Sequence, residues 1–141
     1  GLILGSEDLI SDFSINKNSK NILNLGRFRC LIVAKALKIK CIDTVITDVR
    51  NLRYFKKFCI DSFNDGFDGI LCLTPKQAEI AQDKYSVQKK SYLEAMILIK
   101  KYNLEKKSNV FLLKHRNKSF FLSPPTVRIL KNLINKYEEQ Q

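Results

Sequence analysis

The feature that most constrains the fold is an alternation of short apolar segments with amphipathic segments along residues 1–85. The apolar segments predict three strands, at 2–4, 41–49 and 69–73. Apolar residues at helical spacing predict helices at 22–38, 51–65 and 75–83. Strands that alternate with helices form a parallel sheet with right-handed crossovers. Short, wholly apolar strands indicate a sheet covered on both faces. The sequence therefore predicts an α/β fold.

Two helix ends carry recognisable signals. Gly66 follows the second helix and is the expected C-cap. The sequence Thr74-Pro75-Lys76-Gln77 is typical of a capping box, with Thr74 as N-cap, Pro75 at the first helical position and Gln77 reaching back. Both signals agree with the helix boundaries that the apolar spacing predicts.

Residues 86–141 follow a different pattern. A helix is predicted at 87–102, then a hairpin with strands at 110–113 and 119–122 around a turn at 115–117. Ser123-Pro124 opens a last amphipathic helix. We therefore expect two parts, an α/β part at 1–85 and a helical extension with a hairpin at 86–141.

Charge and composition limit the function classes. The chain of 141 residues is 45% hydrophobic and 28% charged, which is typical of a folded domain with a core of its own. No apolar run approaches the roughly 20 residues that a membrane helix needs. The net charge of +11 would suit nucleic acid or a phosphorylated ligand. The absence of nucleic-acid-binding motifs argues against nucleic acid, and the basic stretch at 84–118 is interpreted as a solvated face.

The cysteines and the single histidine are interpreted as structural. Cys30, Cys41, Cys59 and Cys72 lie in apolar segments without a Cys-x-x-Cys pair, which indicates buried, reduced thiols and an intracellular, reducing compartment, mitochondrial or cytoplasmic. One histidine and no ligand-spaced pair argue against zinc. His115 lies in a polar turn, so we expect it to be exposed and not catalytic.

The sequence Gly5-Ser6-Glu7-Asp8 is the strongest candidate for a functional motif. It follows the first apolar segment, and a strand that ends in Gly before carboxylates is how barrel and open-sheet enzymes present a metal or an acid/base group. The alternative is that Asp8 is a loop carboxylate or a helix N-cap. A strand end so close to residue 1 also predicts that the chain is a piece of a larger fold.

Several motifs together resemble the citrate lyase β-subunit and its relatives in the HpcH/HpaI aldolase family. They lie in register over about 80 residues and are Leu4-Gly5-Ser6-Glu7-Asp8-Leu9, Arg27 with Val33-Ala34-Lys35-Ala36, Ile42-Asp43-Thr44-Val45-Ile46-Thr47-Asp48, Gly66-Phe67-Asp68-Gly69 and Thr74-Pro75-Lys76-Gln77. The resemblance implies a (β/α)8 barrel, of which this chain would supply strands six to eight and the C-terminal extension.

The resemblance also implies a chemistry. Family members cleave a carbon–carbon bond in a 3-hydroxy-acyl-CoA thioester with the help of Mg²⁺ and release acetyl-CoA and a 2-keto acid. Asp8 occupies the metal-ligand position, the backbone of Gly5 and Ser6 would bind the substrate carboxylate, and Asp12 would have a lesser supporting or capping role. The substrate would be citryl-CoA, malyl-CoA or citramalyl-CoA, and the intact protein would be a homo-oligomer.

Departures from the family pattern keep an alternative open. The second metal ligand of the family is a Glu one strand earlier, outside this chain. The catalytic Asp of the family corresponds to Leu122 or Ser123, and Thr74 replaces a His before Pro75. Leucine or serine in place of the Asp, and threonine in place of the His, cannot act as the acid/base group. The alternative is a catalytically lapsed member that serves as a binding or assembly subunit.

Three charged residues of the motifs receive structural interpretations. Asp43 and Asp48 are expected to be solvated carboxylates at a strand end, with Asp48 on the side of the site. Arg27 lies on a helix with an apolar face, so a structural ion pair is expected. The chain alone would expose a strand edge and half of a barrel interior, which predicts poor solubility or self-association.

Overall fold

The computed structural model describes residues 1–16, 19–104, 110–115 and 118–141. These residues form two compact units, Gly1–Tyr85 and Ser86–Gln141. The first unit contains β1 (Leu2–Ile3), α1 (Ser6–Asp12), α2 (Lys20–Ala36), β2 (Cys41–Asp43), α3 (Leu52–Asp65), β3 (Gly69–Ile70) and α4 (Pro75–Tyr85). The second contains α5 (Lys89–Leu104), β4 (Phe111–His115), β5 (Lys118–Leu122) and α6 (Pro124–Glu138).

The first unit is built on a parallel sheet in the order β1-β2-β3. Leu2 pairs with Cys41, Ile42 pairs with Gly69, and Asp43 pairs with Ile70. The three predicted strands and their parallel arrangement are therefore confirmed, although β2 ends at Asp43 and not at 49. Its neighbours β1 and β3 are two residues long. The β-branched residues that follow Asp43 therefore have no residue of β1 or β3 beside them with which to pair as a strand.

One face of the sheet packs against the helices. The core on that side is formed by Leu31, Ala34, Cys41, Phe55, Cys59, Phe67, Ile70, Ala81 and Tyr85. Leu2 packs against this core, whereas the side chain of Ile3, which points the other way, is 53% exposed. The expectation that both faces are covered is not met by the part of the chain that the structure describes.

Helix boundaries in the first unit follow the predicted caps, with one helix that was not predicted. Gly66 ends α3 in the left-handed conformation with φ 102°, which confirms its role as C-cap. Thr74 Oγ1 accepts a hydrogen bond from Gln77 N at 3.3 Å, as an N-cap does. Helix α1 was not among the predicted helices; it is seven residues long and has Glu7 and Asp8 in its first turn.

The second unit packs two helices against an antiparallel hairpin. Strands β4 and β5 pair through Leu113 and Phe120, which confirms the predicted hairpin; residues 116 and 117 of its predicted turn lie outside the described residues. The core is formed by Leu98, Leu113 and Leu122. In the basic stretch, Lys89, Lys90, Lys100, Lys114 and Lys118 are exposed and Lys84 and Lys101 are half-buried, so the solvated-face interpretation holds for most of its described lysines; 105–109, 116 and 117 are outside the described residues.

Candidate functional site at the carboxyl edge of the sheet

The carboxyl ends of β1, β2 and β3 meet at one edge of the parallel sheet. The segments that leave this edge begin at Leu4, Thr44 and Leu71. In α/β proteins this edge is where ligands bind, since loops and helix N-termini converge there. Polar side chains follow each of these strand ends: Asp8 in α1, Thr44 after β2 and Thr74 at the start of α4.

Asp8 lies in the first turn of α1, directly after the N-cap residue Gly5. A Cβ atom built on Gly5 would overlap Asp8 Oδ2, so the carboxylate folds back over the backbone of residue 5. A residue without a side chain is what allows this close approach. Asp8 is exposed, whereas the neighbouring Ser6 is buried. The carboxylate of Asp8 therefore lies exposed at the sheet edge, and its role as a metal ligand stays a prediction.

The described residues do not contain a complete metal site. Among them, no group of three or more His, Cys, Asp or Glu side chains is placed to hold a metal ion. Mg²⁺ is commonly bound through one or two carboxylates, with waters and substrate oxygens completing its shell. Asp8 fits such a role as a single ligand. Asp12, in the last turn of α1, is also exposed and belongs to no such group.

The prediction that Asp43 is a solvated carboxylate is wrong. Its side chain is fully buried, and its Oδ1 atom accepts hydrogen bonds from Arg27 Nε and Thr44 N, both at 2.8 Å. Its Oδ2 atom accepts from Arg27 Nη2 at 2.6 Å and from Ser62 Oγ at 2.5 Å. The carboxylate points into the helical layer, and its burial is explained by these four donors. The other predicted strand-end acid, Asp48, is exposed on the loop that follows.

Arg27 forms the structural ion pair that its position predicted. Its guanidinium carbon lies 4.8 Å from the ring centroid of Phe58 and 5.3 Å from that of Phe67. Burial alone would lower the pKa of Arg27, but the hydrogen bonds and charge of Asp43 outweigh burial and raise that pKa. Arg27 therefore remains charged inside the unit.

Tyr85 extends this buried network to α4. Its hydroxyl donates a hydrogen bond of 2.7 Å to Ser62 Oγ, the group that donates in turn to Asp43. Burial is the largest cause that raises the pKa of Tyr85, so its hydroxyl stays protonated and able to donate. The network ties α2, α3 and α4 to the end of β2. Sequence reasoning missed it, although an Asp inside an apolar strand and an Arg on an apolar helix face were the available signals.

Thr44 is the first residue beyond β2 and is only 6% exposed. Its Oγ1 atom has no hydrogen-bond partner among the described residues. A buried hydroxyl without a partner costs about 1–3 kcal/mol. We therefore expect Thr44→Val, which keeps the shape and removes the hydroxyl, to raise the free energy of unfolding by about 1 kcal/mol in denaturant titrations. Thr44→Ser, which keeps the hydroxyl, is the control and should lower it. A loss of stability in Thr44→Val would show that the hydroxyl is satisfied.

Gln77 joins two of the segments at the carboxyl edge. Its Nε2 atom donates a hydrogen bond to Ile46 O at 3.1 Å, and its Oε1 atom accepts one from Leu73 N at 2.8 Å. The sequence predicted that this side chain reaches back toward Thr74. The structure places the backbone contact one residue earlier, at Leu73, and adds the bond to Ile46.

The two residues that the resemblance placed at the position of the family's catalytic Asp lie in the second unit and have structural roles. Leu122 is fully buried in the core of that unit. Ser123 is the N-cap of α6, and its Oγ atom accepts a hydrogen bond from Thr126 N at 3.4 Å. Neither side chain offers a carboxylate.

His115 and the four cysteines are all buried or half-buried. The prediction that His115 is exposed is wrong: the residue is half-buried at the end of β4, with a buried Nε2 atom. Cys41 and Cys59 are buried, Cys30 and Cys72 are half-buried, and all four are free thiols. Burial raises the pKa of Cys59 to about 11 and that of Cys41 and Cys72 above its usual value, so these thiols stay protonated at neutral pH.

None of the helices in the described part of the chain is long and apolar enough to cross a membrane.

Comparisons with known proteins show what this chain is similar to. No family model matches the chain. The citrate lyase subunit beta of Haemophilus influenzae (strain ATCC 51907 / DSM 11121 / KW20 / Rd) is 28% identical over 100 residues, which are 70% of this chain and 34% of that protein. The chain thus spans about a third of the length of the relative that it matches.

Two solved structures share the fold. Protein CitE from Mycobacterium tuberculosis, in complex with magnesium, acetoacetate and coenzyme A, matches 98% of this chain and 52% of its own, with TM-score 0.72 and 17% identity. A citrate lyase from Burkholderia xenovorans LB400 matches 99% of this chain and 45% of its own, with TM-score 0.76 and 11% identity. The fold is therefore an α/β fold of the citrate lyase type.

The resemblance that the motifs predicted is confirmed. The chain is similar to a citrate lyase subunit beta and shares its fold with CitE and a citrate lyase.

Proposed function

We propose that this chain is part of a Mg²⁺-dependent carbon–carbon lyase that acts on a 3-hydroxy-acyl-CoA thioester and releases acetyl-CoA and a 2-keto acid. The observation that carries the proposal is the exposed carboxylate of Asp8, folded over Gly5 at the carboxyl end of β1, in a chain similar to a citrate lyase subunit. One neighbour of the same fold is in complex with magnesium, acetoacetate and coenzyme A, which supports this ligand class.

Each residue of the motif has a proposed task. Asp8 would hold the ion with one carboxylate, and the absent partner ligand would come from a strand that precedes β1. A bound Mg²⁺ would polarise the oxygen where negative charge develops. The backbone at Gly5 and Ser6 would bind the substrate carboxylate, as the resemblance implies. No residue of this chain is assigned as the catalytic acid or base.

The proposal extends to the architecture. Residues 1–85 would supply strands six to eight of a (β/α)8 barrel, and 86–141 its C-terminal extension. The intact protein would be a homo-oligomer in a reducing compartment, mitochondrial or cytoplasmic. The free thiols of Cys30, Cys41, Cys59 and Cys72 support a reducing environment.

The second candidate is a catalytically lapsed subunit that binds or assembles without cleaving. A specific observation favours it: Leu122 is a core residue and Ser123 caps a helix, so neither offers the carboxylate of the family. Without an acid/base group, catalysis would lose about 10²–10⁴-fold in rate. Ligand binding at the carboxyl edge would be retained.

The two candidates are separated by incubation of the protein with citryl-CoA, malyl-CoA and citramalyl-CoA, with Mg²⁺ and with EDTA. Release of acetyl-CoA from one thioester, lost in EDTA, is the result that the lyase proposal expects. Binding of CoA and Mg²⁺ without cleavage supports the lapsed subunit. Absence of both cleavage and binding would overturn both candidates.

A further inference from the structure

Gln77 is a polar residue in an unusual environment. It lies in the first turn of α4 and is fully buried, although glutamine side chains are mostly exposed in proteins. Both ends of its carboxamide are used, one as donor to Ile46 O and the other as acceptor from Leu73 N. A buried amide with both partners in place fixes the groups that it joins.

The two partners belong to the segments that follow β2 and β3. Residues 44–51 have no helix or strand, and backbone hydrogen bonds such as Val49 N to Thr47 O join residues close in sequence. Hydrogen bonds between residues so close in sequence shape the segment, but they do not attach it to the rest of the unit. At its start, the carboxylate of Asp43 accepts from Thr44 N. Gln77 supplies a second polar attachment, two residues further on.

We propose that Gln77 is a positioning residue that locks the segment at 44–51 to the segment at 71–74, so that the carboxyl edge is pre-organised for its ligand. The identity of the ligand rests on the proposed function, whereas the lock itself rests on the two hydrogen bonds. Pre-organisation matters at such an edge, because small displacements of binding groups lower both affinity and rate. Gln77 acts through the backbone of the two segments and needs no contact with substrate.

The positioning role of Gln77 can be tested because its amide group both donates and accepts a hydrogen bond. An ionised carboxylate in its place would still accept from Leu73 N but could not donate to Ile46 O. A protonated carboxyl group could do both. Burial raises the pKa of a carboxyl group above its usual value of about 4.3, so protonation is reached under mildly acidic conditions. The charged side chains of the joined segments and of the first turns of α4 are Asp48, Arg50, Lys76 and Glu79, and all four are exposed.

The experiment measures amide hydrogen exchange in Gln77→Glu, Gln77→Met and wild type at pH 5 and pH 8. At pH 8 we expect residues 44–51 of Gln77→Glu to exchange about tenfold faster than in wild type, with 71–74 nearly unchanged. At pH 5 both segments should return to the wild-type rate. Gln77→Met should loosen both segments at either pH. Gln82→Glu, an exposed position on the same helix, is the matched control and should match wild type.

Several results of this experiment would contradict the positioning role of Gln77. Wild-type exchange in both Gln77 variants, or an effect of Gln77→Glu that does not depend on pH, would overturn the lock. If either variant fails to fold, the other decides, since each predicts a different pattern. In the thioester assay, loosened segments with an unchanged KM would overturn the positioning role. Wild-type protein that neither binds nor cleaves the thioesters would remove the ligand assignment, while hydrogen exchange would still decide the lock.

Discussion

Replacing Asp43 by Ala is expected to lower the free energy of unfolding of the first unit by about 3–5 kcal/mol, enough to unfold it under many conditions. The substitution removes the acceptor of four hydrogen bonds and leaves the buried guanidinium of Arg27 with only the more distant carboxylate of Asp65, at 3.9 Å. Denaturant titration followed by circular dichroism measures the effect.

Two further variants make this prediction specific. Asp48→Ala removes an exposed carboxylate of the same segment and should change stability by less than about 0.5 kcal/mol. The double variant Arg27→Met with Asp43→Leu replaces both charges by apolar groups and should be more stable than Asp43→Ala alone. A loss below about 1 kcal/mol in Asp43→Ala would contradict a structural role for the pair.

Replacing Asp8 by Asn is expected to reduce Mg²⁺-dependent thioester cleavage by about 100-fold or more, because a neutral amide is a poor ligand for a hard cation. Asp8 is exposed, so the melting temperature should stay within about 2 °C of wild type. The rate of acetyl-CoA release at saturating Mg²⁺ is the measurement.

The matched control for this variant is Asp12→Asn, which makes the same change in the same short helix. It should retain activity within about twofold, since Asp12 has at most a supporting role. Equal loss in both variants would point to the helix and not to the ligand position of Asp8.

Much of the fold was predictable because it depends on local signals. Apolar segments that alternate with amphipathic helices predicted the β1-β2-β3 sheet, and Gly66 and Thr74 marked helix ends. The sequence overestimated β2, since residues after Asp43 have strand propensity but no partner in the ladder. The strand propensity of a segment does not indicate how long the strands beside it are.

The candidate site was predictable in part. The motif pointed to Asp8 beside Gly5, and the structure shows that its carboxylate is exposed, while its role as a ligand stays a prediction. The roles of Asp43 and Gln77 did not follow, because the Arg27 partner of Asp43 lies 16 residues away in sequence and the Ile46 partner of Gln77 lies 31 residues away. Whether a polar residue is solvated or buried depends on such distant partners, which a single sequence does not specify.

The proposed role of Asp8 as a metal ligand at a keto-acid site is tested by binding of Mn²⁺, as a stand-in for Mg²⁺, measured by electron paramagnetic resonance. Wild type should bind the ion in the presence of acetoacetate, Asp12→Asn should bind it equally, and Asp8→Asn should bind it at least about tenfold more weakly. Binding to Asp8→Asn with wild-type affinity would contradict the account.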